Sequence, residues 1–317
     1  MYRVLATPRS FKSQGAHLEL LKQHHCNVDL FSKDSPLSSS ELSAKVPGYD
    51  ALILGLDDCD KSVIERADKL KVISRNGAGY DKVDIAAASS KNIVVMYAPG
   101  MNTLGVAELT MGLLYALARD IPNVATHARQ GNWQRSQGWE LAGKTLGLIG
   151  LGAIGREVAK RALANDMRVI AFDPYVRESS SISLLSLDDV LKQSDILSLH
   201  TALTPETKYL INAERLALMK KGAYLINTAR GGLVDEMALY SALESKTLAG
   251  AAMDAFEQEP PKESPLLNLS NFIATPHIGA NTRESVARAN LQAATNVLDI
   301  LQGRDNPFIL NRVKEKP

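Results

Sequence analysis

Three side chains in the second half of the chain have types suited to moving a proton beside an anionic group. Arg230 stands in "NTARGGLVD" (227–235), directly after the apolar run "AYLIN". Its planar guanidinium matches a carboxylate. Nothing acidic follows it until Asp235, which reads as the cap of the next helix, so its anion is expected from a ligand. His277, in "TPHIGAN", can take or give a proton near neutral pH. Glu259, in "DAFEQEPP", could orient that imidazole and stabilise its charged form. Each also has a plain structural reading: a buried ion pair for Arg230, a packed ring for His277, and a solvated loop acid for Glu259, with Glu257 and Glu263 as competitors. Spacing alone does not bring the three together.

The elements that must position them form a repeating pattern. Short apolar runs alternate with amphipathic stretches over almost the whole chain, which argues for a parallel α/β architecture. Strands are expected near 2–6, 27–31, 51–55, 71–75 and 93–97, and again near 145–149, 168–172, 195–200, 223–227, 249–253 and 272–275. The second set amounts to the six strands of a doubly wound, Rossmann dinucleotide domain. "SKDSPLSSSEL" (32–42) reads as a loop running into a serine-capped helix. "APGMNT" (98–103) is a break before a long helix, about Thr103 to Arg119, apolar on most faces and therefore buried or at an interface. The polar segment 129–144, with both tryptophans, reads as an exposed arm or an interdomain covering. A last helix is expected over about 284–302. The division expected is residues 1–100 plus 285–317 as a discontinuous substrate domain, with 101–284 binding the cofactor.

The strand "TLGLI" leads into Gly150-x-Gly152-x-x-Gly155, and the helical stretch "REVAKRALA" follows. The first glycine permits a tight turn, the second lets backbone approach a pyrophosphate, and the third lets helix pack on strand. The helix N-terminus then faces the phosphates. Asp173 closes the next strand, "RVIAF", where a carboxylate accepts from both ribose hydroxyls of NAD and repels the extra phosphate of NADP. Three loops, "LHTALTPET", "NTARGG" and "ATPHIGA", each follow a strand and should surround one crevice. With NAD there, Arg230, Glu259 and His277 fit hydride transfer at a carbon bearing a hydroxyl beside a carboxylate.

Composition narrows the alternatives. The chain has 317 residues, 45% hydrophobic and 22% charged, with a net charge of +1. That balance gives no bulk electrostatic case for nucleic acid or an anionic membrane, and no apolar run approaches the ~20 residues of a membrane helix. Cys26 and Cys59, the two cysteines, fit a reducing cytoplasm and show no metal-ligand spacing; no metal is expected.

The motifs "KVISRNGAGYDKVD" (71–84), "NTLGVAELTMGLLYALAR" (102–119), "LAGKTLGLIGLGAIGREVA" (141–159), "NTARGGLVDE" (227–236), "AMDAFEQEPP" and "TPHIGANT" resemble, in combination, the D-isomer-specific 2-hydroxyacid dehydrogenases, and most closely their phosphoglycerate dehydrogenase-like branch. The resemblance covers most of the chain; the first 50 residues are only loosely characteristic. It implies a Rossmann domain and a flavodoxin-like substrate domain as two lobes with a hinged cleft, and a homodimer built around the helix after residue 102. It implies that Arg230 binds the substrate carboxylate, that His277 is the acid/base and that Glu259 holds it. It places Ala78, Ala153, Ile154, Asp173, Thr201, Thr228, Ala229, Asp254, His277, Gly279 and Ala280 at cofactor contacts beside the three motif glycines. Arg75, Asn76, Gly77 and Asn102 fall on the substrate side with Arg230. Phosphoglycerate enzymes of the family usually carry an Arg-Ser pair where this chain has Leu54 and Gly55, with Asp57 and Asp58 following. D-3-phosphoglycerate is weakened accordingly, and glyoxylate, hydroxypyruvate or another small 2-oxo acid stays open. No appended regulatory domain is expected after Pro317. The alternative from another class is an NAD-sensing corepressor, which relatives of this fold supply.

Overall fold

The computed structural model describes residues 1–311 except Ser32 and Asp34. The chain divides into two compact units: Met1–Asn102 together with the chain from Asn281, and Thr103–Ala280. Each is an α/β unit built on an all-parallel sheet.

The first unit carries strands β1 (Tyr2–Ala6), β2 (Cys26–Leu30), β3 (Ala51–Leu54), β4 (Val72–Arg75) and β5 (Val94–Met96) in the order β2-β1-β3-β4-β5. Every residue of β3, β4 and β5 is buried, as expected of strands covered on both faces. Successive side chains serve opposite faces. Leu52, Leu54, Ile73 and Val95 pack with Leu42, Val63 and Ile64 on one side. Ala51, Ile53, Val72 and Met96 meet Ala293, Ala294, Val297 and Leu298 of the helix Arg283–Leu301 on the other. Ser38 forms a reciprocal capping box with Glu41 and starts the helix Ser39–Ser43; Ser32 and Asp34 of the loop before it lie outside the described residues.

The second unit carries β6 (Thr145–Ile149), β7 (Arg168–Phe172), β8 (Ser183–Leu184), β9 (Ile196–Leu199), β10 (Ala223–Asn227), β11 (Leu248–Met253) and β12 (Phe272–Ala274) in the order β12-β11-β10-β9-β6-β7-β8. From β6 the chain builds outward to β7 and β8, then returns to lay β9 on the other side of β6. That reversal opens a crevice at the carboxyl ends of β6 and β9, the place where doubly wound sheets bind ligands.

Two elements differ from the sequence expectation. The second sheet has seven strands rather than six, because Ser183–Leu184 adds a two-residue edge strand beside β7, too short to leave a periodic signal. Within the stretch before β6, Ile121–Arg129 is a helix, opened by a left-handed Asp120 and with Pro122 in its first turn. Residues 130–138 have no regular structure and are exposed. Trp139 does not join them: its indole N–H donates to the Tyr224 hydroxyl (2.9 Å) and its backbone N–H to the Ala118 carbonyl (2.9 Å).

Leu52 is fully buried in the central strand β3. Leu52→Ala is expected to lower the unfolding free energy by about 2–5 kcal/mol, read from urea denaturation. A loss too small to resolve would contradict the two-faced core.

Candidate active site

In the second unit, the sequence-expected residues gather at the carboxyl ends of the strands. After β6 the chain enters Gly150 at φ +98°, a region open mainly to glycine. A Cβ there would also stand 2.5 Å from the His200 carbonyl oxygen. At Gly155 a Cβ would run into the carbonyl of Gly150. At Gly152, by contrast, a Cβ would meet nothing within 4 Å. Gly152 is the N-cap of the helix Ala153–Leu163 and supplies no side-chain acceptor to its first N–H groups. Open space over unsatisfied helix N–H donors fits an anionic group such as a diphosphate. Ala153 is exposed there and Ile154 half-buried. Asp173, just past β7, accepts from the Leu151 N–H (2.7 Å) with one oxygen and from the Tyr175 N–H (2.8 Å) with the other. It thus braces the glycine turn while its remaining lone pairs suit a ribose diol. Thr201 lies half-buried after β9.

His200, ahead of Thr201, was not singled out in the sequence. Its Nε2 lies 2.9 Å from Ser198 Oγ and its Nδ1 is buried without a partner. Burial pushes its pKa down to about 3, so the ring is neutral. A histidine closing the apolar run "ILSLH" was the available signal.

The turn after β10 is shaped by Asn227, fully buried and also not anticipated. Its Nδ2 donates to the Arg230 carbonyl (2.8 Å) and its Oδ1 accepts from the Ala229 N–H (3.1 Å). One amide therefore sets Thr228, Ala229 and Arg230 in a tight turn. Thr228 Oγ1 lies 2.9 Å from Thr110 Oγ1. Arg230 is half-buried, with Nη1 donating to the Ala229 carbonyl (2.9 Å). Gly231 follows because a side chain there would collide with the backbone of Phe256 and Glu257. Asp235 caps the helix Glu236–Glu244, accepting from Met237 and Ala238.

Asp254, past β11, is 1% exposed. Its Oδ1 accepts from Thr275 Oγ1 (2.6 Å) and the Ile278 N–H (2.8 Å), and its Oδ2 from the Gly279 N–H (2.8 Å). Its carbonyl accepts from the His277 N–H (2.8 Å). The carboxylate is therefore the template of the loop that carries His277, a residue held at φ +53°. Ala280, exposed, ends the unit.

His277 Nδ1 sits 2.9 and 3.0 Å from the two oxygens of Glu259. Glu259 Oε1 also accepts from the Phe256 N–H (3.1 Å). Burial alone would raise the Glu259 pKa. The hydrogen bond to His277, the imidazole's charge, the Phe256 N–H and the Arg230 charge outweigh burial and hold it below the ordinary carboxylate value. The competing acid Glu257 is engaged elsewhere, accepting from the Tyr209 hydroxyl (2.7 Å). Arg230, Glu259 and His277 are thus brought into one electrostatic neighbourhood. Among the described residues no group of three or more His, Cys, Asp or Glu side chains is arranged to hold a metal.

The remaining sequence-expected residues belong to the first unit. Arg75 ends β4, buried, with Nη1 donating to the Asn76 carbonyl (2.6 Å). Asn76 N–H donates to the Leu54 carbonyl (2.9 Å), and the Gly77 carbonyl accepts from the Ala98 N–H (2.9 Å). Ala78 and Asn102 are half-buried. Of the two acids after Gly55, Asp57 is turned inward, accepting from the Leu37 N–H (2.8 Å), the Gly55 N–H (3.0 Å) and the Thr7 hydroxyl. Asp58 pairs with Lys82 at 2.7 Å.

Residues 111–279 match the family model described as "D-isomer specific 2-hydroxyacid dehydrogenase, NAD binding domain". Over 283 residues the chain is 46% identical to the D-3-phosphoglycerate dehydrogenase of Methanocaldococcus jannaschii, covering 87% of this chain and 54% of that protein. It is 42% identical over 268 residues to the hydroxypyruvate reductase of Thermotoga maritima, covering 82% and 88%. The chain spans about half the length of the phosphoglycerate dehydrogenases it matches. Among solved structures, the TT0316 protein of Thermus thermophilus superposes with a TM-score of 0.90 at 41% identity, covering 98% of this chain and 100% of that one.

Asp254→Asn keeps the shape but sets an amide N–H against backbone donors. It is expected to destabilise the fold by about 1–3 kcal/mol, measured by denaturant unfolding. A neutral effect would remove Asp254 as the template of the 275–279 loop.

Proposed function

The chain belongs to the D-isomer specific 2-hydroxyacid dehydrogenase family, and from that premise we propose that it is an NAD-dependent oxidoreductase interconverting a small D-2-hydroxy acid and its 2-oxo acid. The observation that carries this reading is the His277–Glu259 pair on the same sheet edge as Arg230 and the glycine turn. NAD, when bound, accepts or supplies the hydride at its nicotinamide. Arg230 holds the substrate carboxylate through a two-pronged contact. Glu259 accepts from His277 Nδ1, which fixes the tautomer and leaves Nε2 as the proton-transfer atom. In oxidation Nε2 takes the hydroxyl proton; in reduction it gives a proton to the carbonyl oxygen. Asp173 favours NAD over NADP by accepting ribose hydroxyls and repelling a phosphate. Gly152, Ala153 and Ile154, over the turn closed by Gly150 and Gly155, would hold the diphosphate, with Thr201, Thr228, Ala229, Asp254, Gly279 and Ala280 as further cofactor contacts.

The protein acts as a homodimer in this reading. The exposed apolar side chains Leu104, Tyr115 and Ile121 along two consecutive helices, with Trp133 beyond them, support it. A cytoplasmic setting agrees with two buried free cysteines, of which Cys59 has its pKa pushed up to about 12 by burial. No helix among the described residues is long and apolar enough to cross a membrane.

His277→Ala and Arg230→Ala are each expected to lower turnover by at least ~10² while NADH binding, followed by fluorescence, persists. Full activity in either variant would sink the mechanism. Glu259, held below the ordinary carboxylate value, stays charged down through mild acid; its support of protonated His277 is lost only as pH falls through that depressed value. Glu259→Gln removes the support at every pH. Turnover of 2-oxo acid should then fall at least ~10-fold while NADH binding persists; unchanged turnover would dissociate Glu259 from the proton transfer. NADH oxidation against glyoxylate, hydroxypyruvate, pyruvate, 2-oxoglutarate and phosphohydroxypyruvate separates enzyme from NAD sensor, since a sensor turns over none of them.

A further inference from the structure

Strand β5 lies at the edge of the first sheet, yet every backbone group it turns outward has a partner. The Val94 N–H donates inward, to the Lys71 carbonyl (2.9 Å), so Ile93, Val95 and Tyr97 address the open side. The Ile93 N–H is taken by the Ala88 carbonyl (2.9 Å). The rest of the edge is met from far along the chain. The Leu310 N–H donates to the Val95 carbonyl (2.8 Å), and the Tyr97 N–H donates to the Phe308 carbonyl (3.3 Å). Met96 and Ile309 form an antiparallel bridge there. Beyond Leu310 a side chain takes over: Asn311 Oδ1 accepts from the Val95 N–H (2.7 Å), and its Nδ2 donates to the Ile93 carbonyl (2.9 Å). One amide thus supplies the donor and the acceptor of a peptide unit. Ile309 and Leu310 pack into opposite layers, as neighbours in a strand do. Asn306, 6% exposed, holds the segment in place. Its Nδ2 donates to Asp299 Oδ2 (2.7 Å) and Asn296 Oδ1 (3.2 Å) on the helix Arg283–Leu301, and its Oδ1 accepts from the Phe308 N–H (2.9 Å). Asn296, fully buried, donates to the Tyr97 carbonyl (2.9 Å) and completes the edge.

A strand edge with free N–H and C=O groups is a template for pairing with another chain. Here the cover is slight. Its bonds to β5 come from Phe308, Leu310 and Asn311 alone, whereas β5 pairs with β4 inside a sheet buried on both faces. Segments with few buried contacts open locally, well below the free energy of global unfolding. We propose that Asn306–Asn311 is a detachable strap, a short antiparallel strand latched by Asn306 and Asn311, and that its closure guards the β5 edge against pairing with a second copy of this chain. All of its residues lie in the first unit, so the inference is independent of the dehydrogenase reading.

The test is amide hydrogen exchange of the full chain, resolved by residue with NMR. In the wild type, Val95, Tyr97 and Leu310 should share one opening and be protected at least ~10-fold less than Val94. Low urea should barely move those three, because their opening exposes little surface, and should speed exchange at Val94. Equal protection and equal urea dependence at all four amides would mean that the segment opens only with the sheet, and would overturn the proposal. Asn306→Ala removes three hydrogen bonds of the latch and should lower protection at Val95, Tyr97 and Leu310 by a further ~10-fold or more; a folded variant with unchanged protection also overturns it. The double variant Asn306→Ala/Asn311→Ala should sediment as larger, concentration-dependent assemblies than the wild type. Opened strap amides with wild-type sedimentation defeat the guarding role. If neither variant folds, the wild-type protection and its urea dependence decide.

Discussion

The candidate site depends on one buried carboxylate. Asp254 is almost fully enclosed, and a polar group there is tolerated only if its lone pairs are met by donors. The donors come from one stretch of chain: the Thr275 hydroxyl and the N–H groups of Ile278 and Gly279. Satisfying Asp254 therefore dictates the path of the loop, and His277 is carried along that path at a positive φ. Backbone bonds extend the constraint, because the Asp254 N–H donates to the Asn227 carbonyl (2.9 Å). Asn227 in turn shapes the Arg230 turn with its side chain. The cation and the imidazole are thus set by a continuous relay running along adjacent ends of β10 and β11, not by separate loops.

The glycine turn follows the same logic with the opposite chemistry. Where Asp254 fills space with a saturated acceptor, Gly152 leaves space over unsaturated donors. Gly150 and Gly155 give way to neighbouring carbonyls, so turn and helix close tightly beneath that space. Asp173 links the two strategies: it ties down Leu151 while presenting carboxylate oxygens on the same edge. Open space over helix donors and an imidazole–carboxylate pair can then both lie at the carboxyl ends of one parallel sheet.

Much of this was legible in the sequence, because its signals are local. Alternating buried strands such as "ALIL" and "TLGLI", the glycine spacing and the Asp235 cap are each written within a few residues. What was not legible rests on geometry that only the fold supplies. Asn227, His200 and Asn290 look like ordinary polar residues until the fold brings 230, 198 and 10 beside them. Residue type alone did not separate Glu259 from Glu257, which the resemblance did and the geometry also does, since Tyr209 claims one and His277 the other. The edge strand β8 and the helix at 121–129 escaped because two residues carry no period and because Pro122 reads equally as a break or as a first helical turn.

The charge pattern around residues 54–58 also changes meaning once folded. In sequence, two aspartates after Gly55 look like a repulsive patch for an anionic ligand. In the structure Asp57 is spent on Leu37, Gly55 and Thr7, and Asp58 on Lys82. What looked like an open one-sign patch is two engaged acids, and the difference was invisible in the sequence because Leu37 and Lys82 stand 20 and 24 positions away from them.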